Sequence, residues 1–63
     1  MSIKNPYTVT LQDSEGDYYD VICDAIDFDD AERIVLAKYP EDEMIDVVKG
    51  VSGMLFKEDL RDR

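Results

Sequence analysis

The chain has no histidine, no tryptophan and a single cysteine, and these absences exclude several kinds of site. Cys23 alone cannot form an internal disulfide or a multi-cysteine zinc site, and without histidine the commonest remaining metal ligand is missing. No histidine is present to activate Cys23 as a nucleophile, so we interpret it as a buried structural thiol. The sequence therefore predicts a protein that is not an enzyme and binds no metal or cofactor.

Long hydrophobic runs are also missing. No apolar stretch approaches the roughly 18 residues of a membrane span, and the first residues, MSIKNPY, lack the apolar region of a signal peptide. The chain is therefore expected to be soluble and cytoplasmic. Its 63 residues and 44% hydrophobic content are typical of one small domain that folds by packing alone.

Positive charge is scarce, with seven Lys and Arg against sixteen Asp and Glu, a net of -9. From Asp13 to Asp46 there are thirteen acidic residues against Arg33 and Lys38, a net of -11, so the other residues together carry +2. A field of this sign opposes contact with nucleic acid and anionic membranes, and it speeds encounter with basic partners. We expect no direct nucleic-acid or membrane binding, and a protein partner with a basic surface.

The first half of the chain alternates with a period of two, which predicts a β-hairpin. Strand 1 is predicted over Tyr7–Gln12 and strand 2 over Asp17–Ala25, joined by the turn DSEG, in which Gly16 can supply a positive φ. The core-facing side chains are expected to be Tyr7, Val9, Leu11, Tyr19, Val21, Cys23 and Ala25. The reverse face of strand 2 is expected to carry Tyr18, Asp20, Ile22 and Asp24.

The period then changes to that of a helix, in the segment DFDDAERIVLAKY. Asp27 is placed as an N-cap, Asp29 and Asp30 follow where the helix dipole favours negative charge, and Pro40 ends the helix. The helical spacing of Phe28, Ala31, Val35 and Tyr39 predicts the face that packs on the sheet. Together with Asp24 these acids suggest a calcium site, but the glycine and glutamate of an EF-hand are missing, so capping explains them better.

Strand 3 is predicted over Met44–Lys49, with Ile45 and Val47 inward and Met44, Asp46 and Val48 outward; the opposite register would bury Asp46. The predicted fold is a single α+β domain of ββαβ order over residues 1–52. One helix covers one face of a three-stranded antiparallel sheet in the order 2-1-3. Residues 53–63 are predicted to be a partly ordered tail. A short fourth strand around Met54–Phe56, or a helical turn pairing Phe56 with Leu60, is the alternative there.

The reverse face of the predicted sheet has more apolar side chains than contact with water requires. Tyr18, Ile22, Met44 and Val48 are expected on this face, together with Asp20, Asp24 and Asp46. Because tyrosine and methionine are enriched in protein interfaces, we predict that this face binds a partner. An ordinary exposed sheet face is the alternative interpretation. The partner could also be a second copy of the chain.

The segment AIDFDDAERIVLAKY, with the order of elements, resembles a family of small early proteins of podoviral phages that inhibit the host RNA polymerase. That family shares the length, the hairpin, a helix opened by an acidic D-[DE]-A turn, a tyrosine near the helix end and a last strand. The resemblance covers about Tyr19–Lys49. It implies a phage protein in the host cytoplasm that grips the polymerase partly through arginines of the last strand, a pattern from which this chain departs, since Asp46–Gly50 offers only Lys49.

The leading hypothesis is a non-enzymatic inhibitor that binds a basic surface of a larger machine, such as one that normally holds nucleic acid. A domain of this length is about 27 Å across, and DNA of that length carries roughly sixteen phosphate charges. The net charge of -9 permits partial mimicry of DNA. The alternative is a structural homodimer or small subunit that associates through the outer sheet face, with acidity serving solubility only.

Overall fold

The computed structural model describes residues 3–51 and 55–61. These residues form β1 (Asn5–Gln12), β2 (Tyr18–Ala25), α1 (Phe28–Lys38), β3 (Glu43–Lys49) and β4 (Glu58–Asp59). The strands make one sheet in the order β3-β1-β2-β4, and α1 packs on one of its faces. Among the described residues, no helix has the length and apolar character needed to cross a membrane.

The predicted central position of the first strand is confirmed, since β1 pairs antiparallel with β2 on one side and with β3 on the other. The sheet is mixed rather than purely antiparallel, because β4 pairs parallel with β2. The Met54–Phe56 alternative falls partly on residues outside the described part, and Phe56 is not in a strand. The helical turn from Phe56 to Leu60 is wrong, since Glu58–Asp59 is a strand.

Asp13 organises the turn between β1 and β2. Its carboxylate accepts hydrogen bonds from the N–H groups of Glu15 and Asp17, at 2.9 and 3.0 Å. Its carbonyl oxygen accepts a third from the N–H of Gly16, at 3.0 Å. Gly16 has a φ of +87°, in the left-handed region that favours glycine. The positive φ predicted for Gly16 in the DSEG turn is thus confirmed.

Asp27 caps α1 as predicted. Its side chain accepts a hydrogen bond of 2.8 Å from the backbone N–H of Asp30, which satisfies one of the donors that a helix start leaves unpaired. The helix ends at Lys38, and the N–H of Tyr39 still donates to the carbonyl oxygen of Val35. Pro40 follows and cannot continue the helix.

One face of the sheet and one stripe of α1 form the core. Its buried side chains are Tyr7, Val9, Leu11, Val21, Cys23, Ala25, Ala31 and Val35. The predicted inward sets of β1 and β2 are therefore confirmed, with Tyr19 partly buried against this core. Phe28 is half exposed and meets the ring of Tyr7 edge-on, 5.2 Å between ring centres, so it lies at the margin.

A bulge in β3 changes which of its residues face the core. Thr10 pairs with Asp46, the next β1 residue pairs with Met44, and Ile45 is left without a partner. Met44 and Val47 both pack against the core, whereas Ile45 is 45% exposed. The predictions that Ile45 points inward and Met44 outward are therefore wrong, because they assumed uninterrupted alternation.

The chain crosses the sheet between β3 and β4, because these strands lie at opposite edges. The crossing starts on the face away from α1, where the hydroxyl of Thr8 donates a 2.7 Å hydrogen bond to the carbonyl oxygen of Gly50. It reaches the β2 edge at Lys57, whose N–H donates to the Asp20 carbonyl at 2.8 Å.

Candidate protein-interaction surface

We call the sheet face opposite to α1 the outer face. Its side chains form rows across the strands: Glu43, Gln12 and Tyr18; then Asp46, Thr10 and Asp20; then Val48, Thr8, Ile22 and Asp59; then Pro6 and Asp24. Neighbours within a row are about 5 Å apart, close enough to act together on one partner. The rows differ in how much of them is open to solvent.

The first two rows form an open acidic surface. Tyr18 is 65% exposed, and Glu43 and Asp46 are exposed at the β3 edge. Asp20 is half-buried and accepts a hydrogen bond of 2.6 Å from the hydroxyl of Thr10. Within the part of the chain that the structure describes, no lysine or arginine forms an ion pair with these three carboxylates. An aromatic ring therefore stands beside negative charge that no described lysine or arginine neutralises through an ion pair.

The third row is covered. Thr8 and Ile22 belong to the outer face, yet they are 2% and 0% exposed. Gly50, which follows β3, lies at this row, where its carbonyl oxygen accepts a hydrogen bond from the hydroxyl of Thr8. The prediction that Ile22 is an exposed partner-contact residue is therefore wrong. Val48, at the β3 end of the row, remains accessible.

Two further residues of the predicted surface belong to the other side of the sheet. Lys49 pairs with Tyr7, a core residue, so its register position is on the α1 side, at the exposed end of β3. Met44 packs against the core because of the bulge. The predicted residues that do share the outer face are Tyr18, Asp20, Ile22, Asp24, Asp46 and Val48, of which Ile22 is buried. Glu43 joins them, and the sequence prediction misses it because it begins strand 3 one residue late.

The open acidic rows continue into the loops at the same end of the sheet. The β1–β2 turn carries Glu15 and Asp17, and the α1–β3 loop carries Glu41; all three are exposed. Two other acids there have local roles, since Asp13 holds its turn and Asp42 accepts a hydrogen bond from the hydroxyl of Tyr19. We call Glu15, Asp17, Glu41 and Glu43 the acidic end. These exposed charges extend the negative field beyond the outer face.

Burial, together with the hydrogen bond to Asp42, raises the pKa of Tyr19 well above its ordinary value. The hydroxyl of Tyr19 therefore stays protonated and donates to Asp42 throughout the neutral range. The ring of Tyr39 meets that of Tyr19 edge-on, 5.5 Å between centres. This pair connects β2 to the end of α1, which is a structural role rather than an acid–base one.

A second polar cluster ties β4 to α1. Glu58 accepts a hydrogen bond from the hydroxyl of Tyr39 and forms an ion pair with Lys38 at 3.0 Å. The Nζ of Lys57 lies 4.3 Å from the ring centre of Tyr19 and 5.2 Å from that of Tyr39, within reach of a cation–π contact. The bond to Tyr39, with help from Lys38, lowers the pKa of Glu58 below its usual range. The same bond and burial raise the pKa of Tyr39 to about 12.

Cys23 has the surroundings of a structural thiol. Its side chain is fully buried, and its Sγ lies 4.0 Å from the carbonyl oxygen of Ala31. Burial raises the pKa of the thiol to about 11. Almost none of it is thiolate at neutral pH, and thiolate is the form that attacks substrates or binds metals.

Two of the acids at the start of α1, Asp27 and Asp30, are engaged in local bonds. Asp30 pairs with Arg33 and accepts a 3.1 Å hydrogen bond from the backbone N–H of Ile26. The contact with Arg33, followed by the one with Ile26, lowers the pKa of Asp30. Among the described residues, no group of histidine, cysteine, aspartate or glutamate side chains is arranged to hold a metal ion.

Comparison of the chain with protein-family models, with curated proteins and with solved structures gives no match in any of the three. The resemblance to the phage inhibitors of RNA polymerase therefore stays a prediction. What can be argued about function rests on the outer face and the acidic end.

Proposed function

We propose that this protein is a non-enzymatic binder that attaches to a basic surface of a larger protein and inhibits or modulates it. The observation that carries the proposal is the open acidic surface, where the exposed Tyr18 shares the outer face with Asp20, Glu43 and Asp46, three carboxylates that form no ion pair with a described lysine or arginine. A tyrosine supplies a large contact area at low entropic cost, and unneutralised charges at its rim favour a partner of opposite sign.

The acidic end strengthens the proposal through its long-range field. Exposed charges of one sign attract a basic partner before contact, which raises the association rate at low salt. The bound surface of the partner would be rich in lysine and arginine, as in proteins that hold nucleic acid. Partial mimicry of a nucleic-acid backbone, and a phage-type inhibitor of host transcription or defence, are the narrower forms of this proposal.

The homodimer alternative has less support. It depends on an apolar outer face with Ile22 near its centre, and Ile22 is fully buried within the chain. Two copies that each carry a net charge of -9 would also repel one another at this face.

The test is affinity capture from a bacterial lysate with two charge-matched variants. Glu43→Gln with Asp46→Asn removes two charges from the open acidic surface, whereas Asp29→Asn with Glu32→Gln removes two from α1. We expect the wild type and the α1 variant to retain the same basic protein, and the outer-face variant to lose it at moderate salt. Equal retention by both variants would place binding elsewhere on the molecule.

A further inference from the structure

The last described segment lies along the β2 edge of the sheet. We call residues 55–61 the strap. Its strand β4 pairs with two residues of β2, and the N–H groups of Lys57 and Leu60 donate to the carbonyl oxygens of Asp20 and Ile22 at 2.8 and 2.6 Å. Leu55, at its start, is 89% exposed. A pairing this short contributes little stability by itself, so side chains supply much of the attachment.

From Glu58 to Arg61 the side chains of the strap alternate between the two faces of the sheet. Leu60 packs against the core, while Arg61 is held by Asp59 with nitrogen–oxygen distances of 2.6 to 3.1 Å. Asp59 lies in an outer-face row, so this pair faces the acidic side. Asp24 adds to the negative field at Arg61. The strap thus places an apolar residue on the core side and a basic residue on the outer side, where Asp24 of β2 is a nearby negative charge and Asp59 of the strap itself holds the guanidinium.

We propose that the strap occupies a position on the β2 edge that a segment of the partner can take. The partner segment displaces the strap and pairs with β2 as an added strand. The partner segment would be extended, with an apolar side chain where Leu60 lies and basic side chains where Lys57 and Arg61 lie. Its backbone would donate to the carbonyl oxygens of Asp20 and Ile22, which the strap now uses. Strand addition of this kind takes affinity from the backbone and specificity from alternate side chains.

This inference rests on the proposed function, because the negative outer face is what favours a basic segment over others. The inference also means that the partner must displace the strap before it can pair with β2. The strap is tethered to the chain and competes at a high effective concentration, so the apparent affinity for the partner is reduced by the fraction of molecules in which the strap is closed. Weakening the strap should therefore strengthen binding.

Amide hydrogen exchange tests whether the strap opens on its own. We expect the amides of Lys57 and Leu60 to exchange at least about a hundredfold faster than those of β1, because local opening costs less than global unfolding. Glu58→Gln should speed their exchange about tenfold further by weakening a charged hydrogen bond. Glu32→Gln, the same change on α1, should have no effect. Exchange of the strap amides at the β1 rate would overturn the inference.

A disulfide lock tests whether the partner uses the place of the strap. Val21 pairs with Glu58 and Ile22 with Asp59, so the next step of the register puts Cys23 opposite residue 60. Adjacent strands are about 4.8 Å apart, within the range of Cα distances that a disulfide spans. Leu60→Cys can therefore be closed by oxidation, with mass spectrometry to confirm the bond, and reopened by reduction.

The probe is a synthetic peptide of alternating lysine and leucine, followed by fluorescence anisotropy; a peptide with a central proline is the control, because it lacks a strand donor. We expect the reduced Leu60→Cys protein to bind the probe at least about tenfold more tightly than the oxidised form, since oxidation holds the strap closed. Equal binding by the two forms, or binding by neither, would overturn the inference. The proposed function is judged separately, by capture with the outer-face variant.

Discussion

The carboxylate of Asp46 accepts a hydrogen bond of 2.9 Å from the backbone N–H of Val47, the residue that follows it. Along two antiparallel strands, residue pairs that exchange backbone hydrogen bonds alternate with pairs that do not. Because the N–H of Gly50 donates to the carbonyl oxygen of Pro6, the N–H of Val47 points away from β1, toward the open edge. Asp46 therefore covers a donor that an added strand would use. The bulge at Ile45 disrupts the same edge, so two features of β3 oppose pairing with an added strand.

The first prediction is that Asp46→Ala promotes self-association through β3, because it frees the N–H of Val47 and removes a repelling charge. Asp46→Asn also removes the charge but keeps a side-chain oxygen that can accept the bond, so it should associate less. Sedimentation velocity over a concentration series at high salt compares the two. If the alanine variant stays as monomeric as the asparagine variant, the hydrogen bond does not protect the edge.

The second prediction concerns the cap of α1. Asp27→Ala should lower the free energy of unfolding by about 1 kcal/mol, because the N–H of Asp30 loses its acceptor. Asp29→Ala, in the same turn, removes an equal charge without breaking a capping bond and should cost less. Urea unfolding at neutral pH measures both. An equal loss in the two variants would show that charge at the helix start matters and that the bond does not.

Most of the fold can be predicted from local patterns in the sequence. The inward sets of β1 and β2 follow from strict alternation, and the start of α1 follows from the capping role of Asp27. The bulge at Ile45 leaves no such pattern, because EMIDVVK has apolar side chains available for either face. The burial of Ile22 depends on residues distant along the chain, such as Asp59 in β4, which no local pattern reveals. For these reasons the sequence predicts the outer-face position of Tyr18 and Asp46 correctly, whereas the predicted exposure of Ile22 and the predicted outward position of Met44 are wrong.

The third prediction tests the covered row. Ile22→Ala should lower the free energy of unfolding by about 2 to 5 kcal/mol, the usual range for truncating a buried isoleucine. Val48→Ala, in the same row but partly exposed, should cost much less. Chemical unfolding of both variants gives the comparison. A small loss for Ile22→Ala would mean that the outer face is open in solution.

The fourth prediction concerns pH and the bond between Tyr39 and Glu58. Tyr39 has a pKa of about 12 in the folded chain against an ordinary 10.0, so the folded state keeps a proton that the unfolded chain loses. Its contribution to stability is complete below the ordinary value and is lost as pH rises through about 12. Glu58 has a lowered pKa, so its contribution is complete above the ordinary glutamate range and is lost as pH falls through the lowered value.

Urea unfolding at neutral and alkaline pH measures the tyrosine part. Tyr39→Phe should reduce the alkaline loss of stability, and the remaining loss should come largely from Tyr19, whose pKa is also raised. Tyr18→Phe, at an exposed tyrosine, is the matched control and should lose stability as the wild type does. An unchanged alkaline loss in Tyr39→Phe would contradict the coupling.

The fifth prediction separates the charges of the open acidic surface from its aromatic ring, with a captured basic partner as the ligand. Glu43→Gln with Asp46→Asn should slow association and flatten its dependence on salt, because rim charges act mainly on encounter. Tyr18→Ala should leave the association rate nearly unchanged and speed dissociation by about tenfold or more, because a buried aromatic anchor acts after contact. Asp29→Asn with Glu32→Gln, which removes the same charge from α1, should change association much less. An equal slowing by both charge pairs would mean that the net charge of the whole chain, and not this face, guides the partner.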